Sequence, residues 1–155
     1  MDYKDLYDFN DIFSKCNLNE RALLEINYHD KKYYALNDIV FGKENFGVTI
    51  TITSVIDNIE ETMRGDGLII STPTGSTAYN KAAGGEVLNI NSPLLNITPI
   101  CPCNGYEASI IDDKEIIEVY ANKGKTRIFI DGNDIGLLDE RVKIKKANKT
   151  VKLYR

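Results

Sequence analysis

The residues with the most chemistry to offer lie between Gly65 and Gly85, GDGLIISTPTGSTAYNKAAGG. A short apolar run, Leu68-Ile69-Ile70, leads into Ser71-Thr72-Pro73-Thr74-Gly75-Ser76, a loop of hydroxyls and glycine. The stretch Thr77 to Ala83 then predicts a helix that stops at Gly84-Gly85. A helix start carries unpaired N–H groups and the positive end of the dipole, and so accepts phosphate or ribose oxygens. The hydroxyls of Ser71, Thr72, Thr74, Ser76 and Thr77 would add donors, Gly75 would allow close approach, and Tyr79 offers a flat face to a base. Taken alone, a Ser/Thr-rich loop before a helix is more often an ordinary capped helix. A second pair, Asn37-Asp38, follows Ala35-Leu36. A carboxylate such as Asp38 can accept both hydroxyls of a ribose diol, or serve merely as a turn residue before a strand.

Other candidate groups carry less. Cys101-Pro102-Cys103 has only Cys16 and His29 as further soft ligands, short of a well-placed zinc set, so no metal site is expected and the thiols read as free and partly buried. Lys123-Gly124-Lys125-Thr126 ends like a phosphate-binding loop, but no glycine stands where that loop would begin, and it reads as a hairpin turn.

The elements that must position these residues are mostly strands. Val48 to Ile56 alternates strictly, and Ala22 to Tyr28 does so in part. Lys32 to Phe41, Leu94 to Ile100, Glu115 to Tyr120, Arg127 to Ile130, Arg141 to Ile144 and Val151 to Tyr154 add further strands, with Asp131-Gly132-Asn133 as a turn. Closely spaced strands with turn residues between them predict a mainly β fold, a β-sandwich with one short helix after the STPTGSTAY loop. Residues 1–18 read as a polar lead-in with a short helix at Tyr3 to Lys15, and residues 19–155 as one domain.

The chain has 155 residues, enough for a single core without staples. A net charge of -4 argues against a nucleic-acid-tracking surface. No apolar run is long enough to span a bilayer, and the acidic, polar start is unlike a signal peptide, so a cytoplasmic protein with no membrane partner is expected.

The string from Gly65 to Tyr79, followed by Ala83-Gly84-Gly85, resembles the diagnostic signature of the NAD kinase family. Ala35-Leu36-Asn37-Asp38-Ile39 looks like the family's Asn-Glu/Asp motif, Thr98-Pro99-Ile100-Cys101-Pro102 like its TPI-x-P segment, and Phe129-Ile130-Asp131-Gly132 like its late Asp-Gly hairpin. The resemblance spans about residues 20 to 145, the family's C-terminal, NAD-binding domain. It implies that Asn37 and Asp38 hold the adenosine ribose and base edge. Thr77, Ala78 and Tyr79 would line the adenine pocket, and Thr74 would touch base or phosphate. Arg64 and Asp66 would sit at the rim or at a subunit interface of a homodimer or homotetramer with shared sites.

The departures shape the expected function. The family's Gly-Gly-Asp-Gly motif, whose aspartate activates the ribose 2′-hydroxyl, does not occur, and Cys103 stands where the family has histidine. Phosphoryl transfer needs positioning, a metal and a base together. The expectation is therefore a chain without catalytic residues and with no required cofactor. It would bind an adenine nucleotide of NAD-derived type, such as ADP-ribose or a cyclic signal, and could act as a viral anti-defence sponge. The alternative is a fragment or subunit of a kinase that phosphorylates NAD to NADP with ATP. A third reading is an interaction module with a decayed pocket.

Overall fold

The structure is a computed structural model that describes residues 17–154, so the helix expected at Tyr3 to Lys15 and Cys16 lie outside the described residues. Twelve strands run β1 (Leu18–Tyr28), β2 (Lys31–Ala35), β3 (Asp38–Lys43), β4 (Ile50–Ile56), β5 (Ile59–Gly65), β6 (Gly67–Ser71), β7 (Leu94–Ile100), β8 (Ser109–Asp112), β9 (Ile117–Lys123), β10 (Thr126–Ile130), β11 (Asn133–Leu137) and β12 (Val142–Tyr154). They form two six-stranded antiparallel sheets, β2-β1-β12-β9-β4-β5 and β11-β10-β3-β6-β7-β8. The architecture is the expected β-sandwich, and the period-2 pattern explains it. Leu24 and Ile26, Ile50 and Ile52, Ile117 and Val119, and Val142 and Ile144 point inward from the first sheet. Ile39 and Phe41, Leu68 and Ile70, Leu95 and Ile97, and Ile128 and Ile130 meet them from the second.

Three hairpins close with two-residue turns in which both residues have positive φ: His29-Asp30 (48° and 58°), Asp57-Asn58 (48° and 62°) and Asp131-Gly132 (47° and 82°). Such turns match the strand twist and favour Asp, Asn and Gly. The Lys123–Thr126 segment is likewise a turn, between β9 and β10, with Gly124 at φ +86°.

The structure departs from the sequence pattern in several places: β5, β8 and β11 are not among the strands expected, and β4 begins at Ile50 rather than Val48, which is exposed. Lys32 to Phe41 is not one strand: the chain leaves the first sheet after Ala35 and enters the second at Asp38. The segments at Arg141 and Val151 are one 13-residue strand, β12, because β1 pairs along both parts of it and carries it through the polar lysines between them. The register between β1 and β12 shifts at Ala22–Leu24, which is why the alternation there is only partial.

The expected helix is also shorter. A 3₁₀ turn covers Gly75–Thr77, Ala78 breaks from helical geometry at ψ −128°, and a single turn, α1 (Tyr79–Ala82), follows. Asn80 is fully buried there: its Oδ1 accepts from Thr98 Oγ1 on β7 at 2.7 Å, and its Nδ2 donates to Ser76 O and Glu86 O. These bonds fasten the helical segment to the outer face of the second sheet.

Phe41 is among the largest fully buried side chains at the centre of the sandwich. Phe41→Ala is expected to lower the unfolding free energy by about 4 kcal/mol, read from urea denaturation, because the cavity adds to the lost transfer energy.

Candidate functional site

Three crossings between the sheets flank β3 of the second sheet, one at its start and two at its end. Leu36-Asn37 joins β2 to β3, residues 44–49 join β3 to β4, and the single residue Asp66 joins β5 to β6. Beside them, the outward residues of the second sheet form a floor of Val40, Gly42, Ile100 and Phe129. The walls are Asn37, Asp38, Lys43, Phe46, Asp66, Ala78, Tyr79, Asp131 and Gly132, around a cavity of about 470 Å³. That volume falls in the range of pockets for small ligands and cofactors, and mostly apolar walls with a few convergent polar groups are typical of them.

The Asn37 corner is clamped from two sides. The Asp131 carboxylate accepts backbone N–H groups from Leu36 at 2.7 Å, Asn37 at 2.7 Å and Asp38 at 3.2 Å. Opposite, Thr72 N donates to Asn37 O at 2.9 Å, Thr72 Oγ1 donates to Leu36 O at 2.6 Å, and Gly75 N donates to Thr72 Oγ1 at 3.1 Å. A Cβ on Gly75 would lie 2.0 Å from Asn37 O, so only glycine lets the 72–75 loop close on the corner. Glycines flank Asp66 for the same steric reason: a Cβ on Gly65 would meet Cys101 O at 2.7 Å, and one on Gly67 would meet Phe41 O at 2.5 Å.

Charge is arranged unevenly. Asp38 is only 6% exposed. Burial, with a smaller contribution from the Asp131 charge, raises its carboxyl above the usual carboxylate range. At the other end Lys43 Nζ pairs with Asp66 Oδ1 at 2.7 Å.

Of the residues singled out in the sequence, Asn37, Asp38, Asp66, Ala78 and Tyr79 come together around this pocket. Thr74, Thr77 and Arg64 are not among its walls, and Thr77 and Arg64 are exposed. The loop hydroxyls are not a set of ligand donors. Ser71, Thr72 and Ser76 are fully buried and donate to the backbone oxygens of Thr72, Leu36 and Pro73. A single helical turn also supplies little dipole, so the expected anion site at a helix start is replaced by a laterally built pocket. Lys43, Phe46 and the Asp131 side chain were missed. Asp131 was visible only as a turn residue, and Lys43 and Phe46 sit in a stretch that matches no motif. Cys101 and Cys103 are both exposed, contrary to the partly buried thiols expected. Among the described residues no cluster of three or more His, Cys, Asp or Glu could hold a metal ion, and no helix is long and apolar enough to cross a membrane.

A family profile for the ATP-NAD kinase C-terminal domain matches residues 36–155. The chain belongs to this family. The NAD kinase of Sulfurimonas denitrificans is 40% identical across 88% of this chain and 51% of its own length. That of Caldicellulosiruptor saccharolyticus is 33% identical across 89% of the chain and 54% of its own. The chain thus spans about half the length of the curated relatives it matches. The fold is that of a yeast NADH kinase complexed with NADH, with a TM-score of 0.81 and 22% identity over 95% of this chain and 48% of that one. It is also that of an Archaeoglobus fulgidus NAD kinase in complex with ATP, with a TM-score of 0.78 and 24% identity over 90% of this chain and 55% of that one. These relatives and neighbours are kinases, which overturns the expected non-catalytic sequestering protein and viral sponge in favour of the alternative, part of an NAD kinase.

Asp38 generates a stability prediction. Its folded pKa lies above the unfolded one, so ionisation disfavours the fold: the penalty is absent below the ordinary carboxylate pKa, grows as pH rises, and is complete above the raised value. Asp38→Asn should therefore raise the ligand-free Tm at neutral pH, with the gain vanishing in acid. An unchanged Tm at neutral pH would count against a strained carboxylate. Gly75→Ala should lose about 2 to 3 kcal/mol of unfolding free energy in the same thermal scans, from overpacking against Asn37.

Proposed function

We propose that this chain is the dinucleotide-binding part of an NAD kinase, holding NAD for phosphorylation by ATP. The observation that carries this reading is the pocket between the Asn37-Asp38 corner and Ala78-Tyr79, present in a chain of this family. The ionised Asp38 carboxylate would accept the hydroxyls of a ribose, Asn37 would contact the nucleoside edge, and Ala78 and Tyr79 would flank the base. Thr74, Thr77 and Arg64, outside the pocket walls, would act at its periphery. In the proposed reaction the NAD 2′-oxygen bonds to the γ-phosphorus of ATP, the bond to the β,γ-bridging oxygen breaks, ADP departs, and the hydroxyl proton passes to a base. The family's base lies in its Gly-Gly-Asp-Gly motif, absent from these 155 residues. This chain's own part is to bind and orient, and it requires no resident cofactor for that. We place the protein in the cytoplasm as a homodimer or homotetramer. Among the described residues the sheets end in β2, β5, β8 and β11, and a sheet edge is a template for pairing with another copy.

Isothermal calorimetry with NAD tests the binding role, and NADP formation from NAD and ATP tests catalysis. The expected outcome is micromolar NAD binding with 1:1 stoichiometry, at least tenfold weakened in Asp38→Ala. It should weaken on acidification from a pH above the usual carboxylate range, as Asp38 takes up its proton. NADP should form when the chain is mixed with the N-terminal half of the Sulfurimonas denitrificans relative. Absence of any NAD binding would sink the proposal. Native mass spectrometry reads the stoichiometry of the assembly.

A further inference from the structure

Phe46 is 95% exposed, yet its ring is one wall of the pocket. The Lys43 ammonium lies over the ring, 5.8 Å from its centroid. The root of its loop is pinned on three sides. Lys43 Nζ, whose side chain is 14% exposed, donates both to Phe46 O at 3.0 Å and to Asp66 Oδ1 at 2.7 Å. Glu44 N donates to Lys125 O at 3.0 Å, and the Glu44 carboxylate pairs with Arg127 at 2.9 Å. Arg127 is held in turn by Asp134 at 2.6 Å. These contacts fix the loop at the rim of a pocket whose floor includes Phe129 and Ile100 and whose walls include Tyr79, itself 46% exposed.

We propose that Phe46 is a ligand-binding residue whose ring closes on a planar ring of the bound nucleotide, an inference that rests on the pocket being a nucleotide site. The Lys43–Asp66 ion pair is the positioning device: it carries the loop that presents the ring. The ligand class that follows is a nucleotide with a flat heterocycle at the Phe46 end and a hydroxylated sugar near Asp38. A pyrophosphate or sugar phosphate alone would leave Phe46 uncovered.

The test uses the intact chain. Phe46→Ala should weaken NAD binding about tenfold in calorimetry, the size of one lost base–aromatic stack, with little change in Tm, because the ring is 95% exposed and the Lys43 ammonium over it, 5.8 Å from its centroid, stays paired with Asp66. Phe46→Trp should restore affinity. The chain contains no tryptophan, so the introduced indole is the sole such fluorophore, and NAD should quench it in a saturable way at the calorimetric Kd. Ribose 5-phosphate should not quench it. If the wild-type chain binds NAD but Phe46→Ala binds equally well, or the F46W fluorescence ignores NAD, the inference fails while the binding role stands. If Phe46→Ala instead dissociates an oligomer in sedimentation with NAD affinity unchanged, the ring belongs to an interface between copies and the inference is overturned. If the wild-type chain binds no NAD, both fall together.

Discussion

One carboxylate holds the pocket in being. Where the chain passes from one sheet to the other at Leu36-Asn37, it leaves the regular ladder, and its N–H groups need partners elsewhere. Asp131 supplies them, accepting from three consecutive residues with two oxygens, while its own N–H returns a bond to Asp38 O. Its place in a tight left-handed turn after β10 aims the side chain back across β3. With the corner fixed from that side, the 72–75 loop can seat against it from the other, and Ala78 and Tyr79 follow into position.

The same corner concentrates carboxylate charge. Asp38 and Asp131 face one pocket, and burial disfavours ionisation of the first. A buried acid whose ionisation is disfavoured costs the fold stability at neutral pH. At the far end, Asp66 is neutralised by Lys43, so the charge left for a ligand lies on the Asn37-Asp38 side. The pocket therefore has a direction: carboxylates lie at one end, and the Lys43–Asp66 pair with the Phe46 ring at the other.

Much of this was legible in the amino-acid order. Val-Thr-Ile-Thr-Ile alternation reports a half-buried strand because side chains of a strand alternate between faces, and Asp-Gly reports a turn because few residues tolerate positive φ. The long string from Gly65 to Gly85 pointed to Ala78 and Tyr79 as pocket residues together with Asn37 and Asp38, and put Asp66 at the rim. What could not be read was the use to which polar atoms are put. Ser71, Thr72 and Ser76 look like ligand donors, but the chain folds so tightly there that their hydroxyls satisfy its own carbonyls. Asp131 looks like a turn residue because its role depends on a segment more than ninety positions away. Lys43 and Phe46 reach the pocket only because β3 and β4 lie in different sheets, which local pattern does not reveal.

Strand β3 serves two masters. Ile39 and Phe41 face the sandwich interior, while Asp38, Val40 and Gly42 face the pocket. The two sets interleave with no spare residue between them. Point replacements on the outward set can therefore alter what the cavity accepts and leave the interior untouched. Gaining or losing one amino acid within the strand would instead turn over every side chain beyond the change, sending interior residues towards the cavity unless a bulge absorbed it. Variation along this strand therefore comes more readily by exchange than by a change of length.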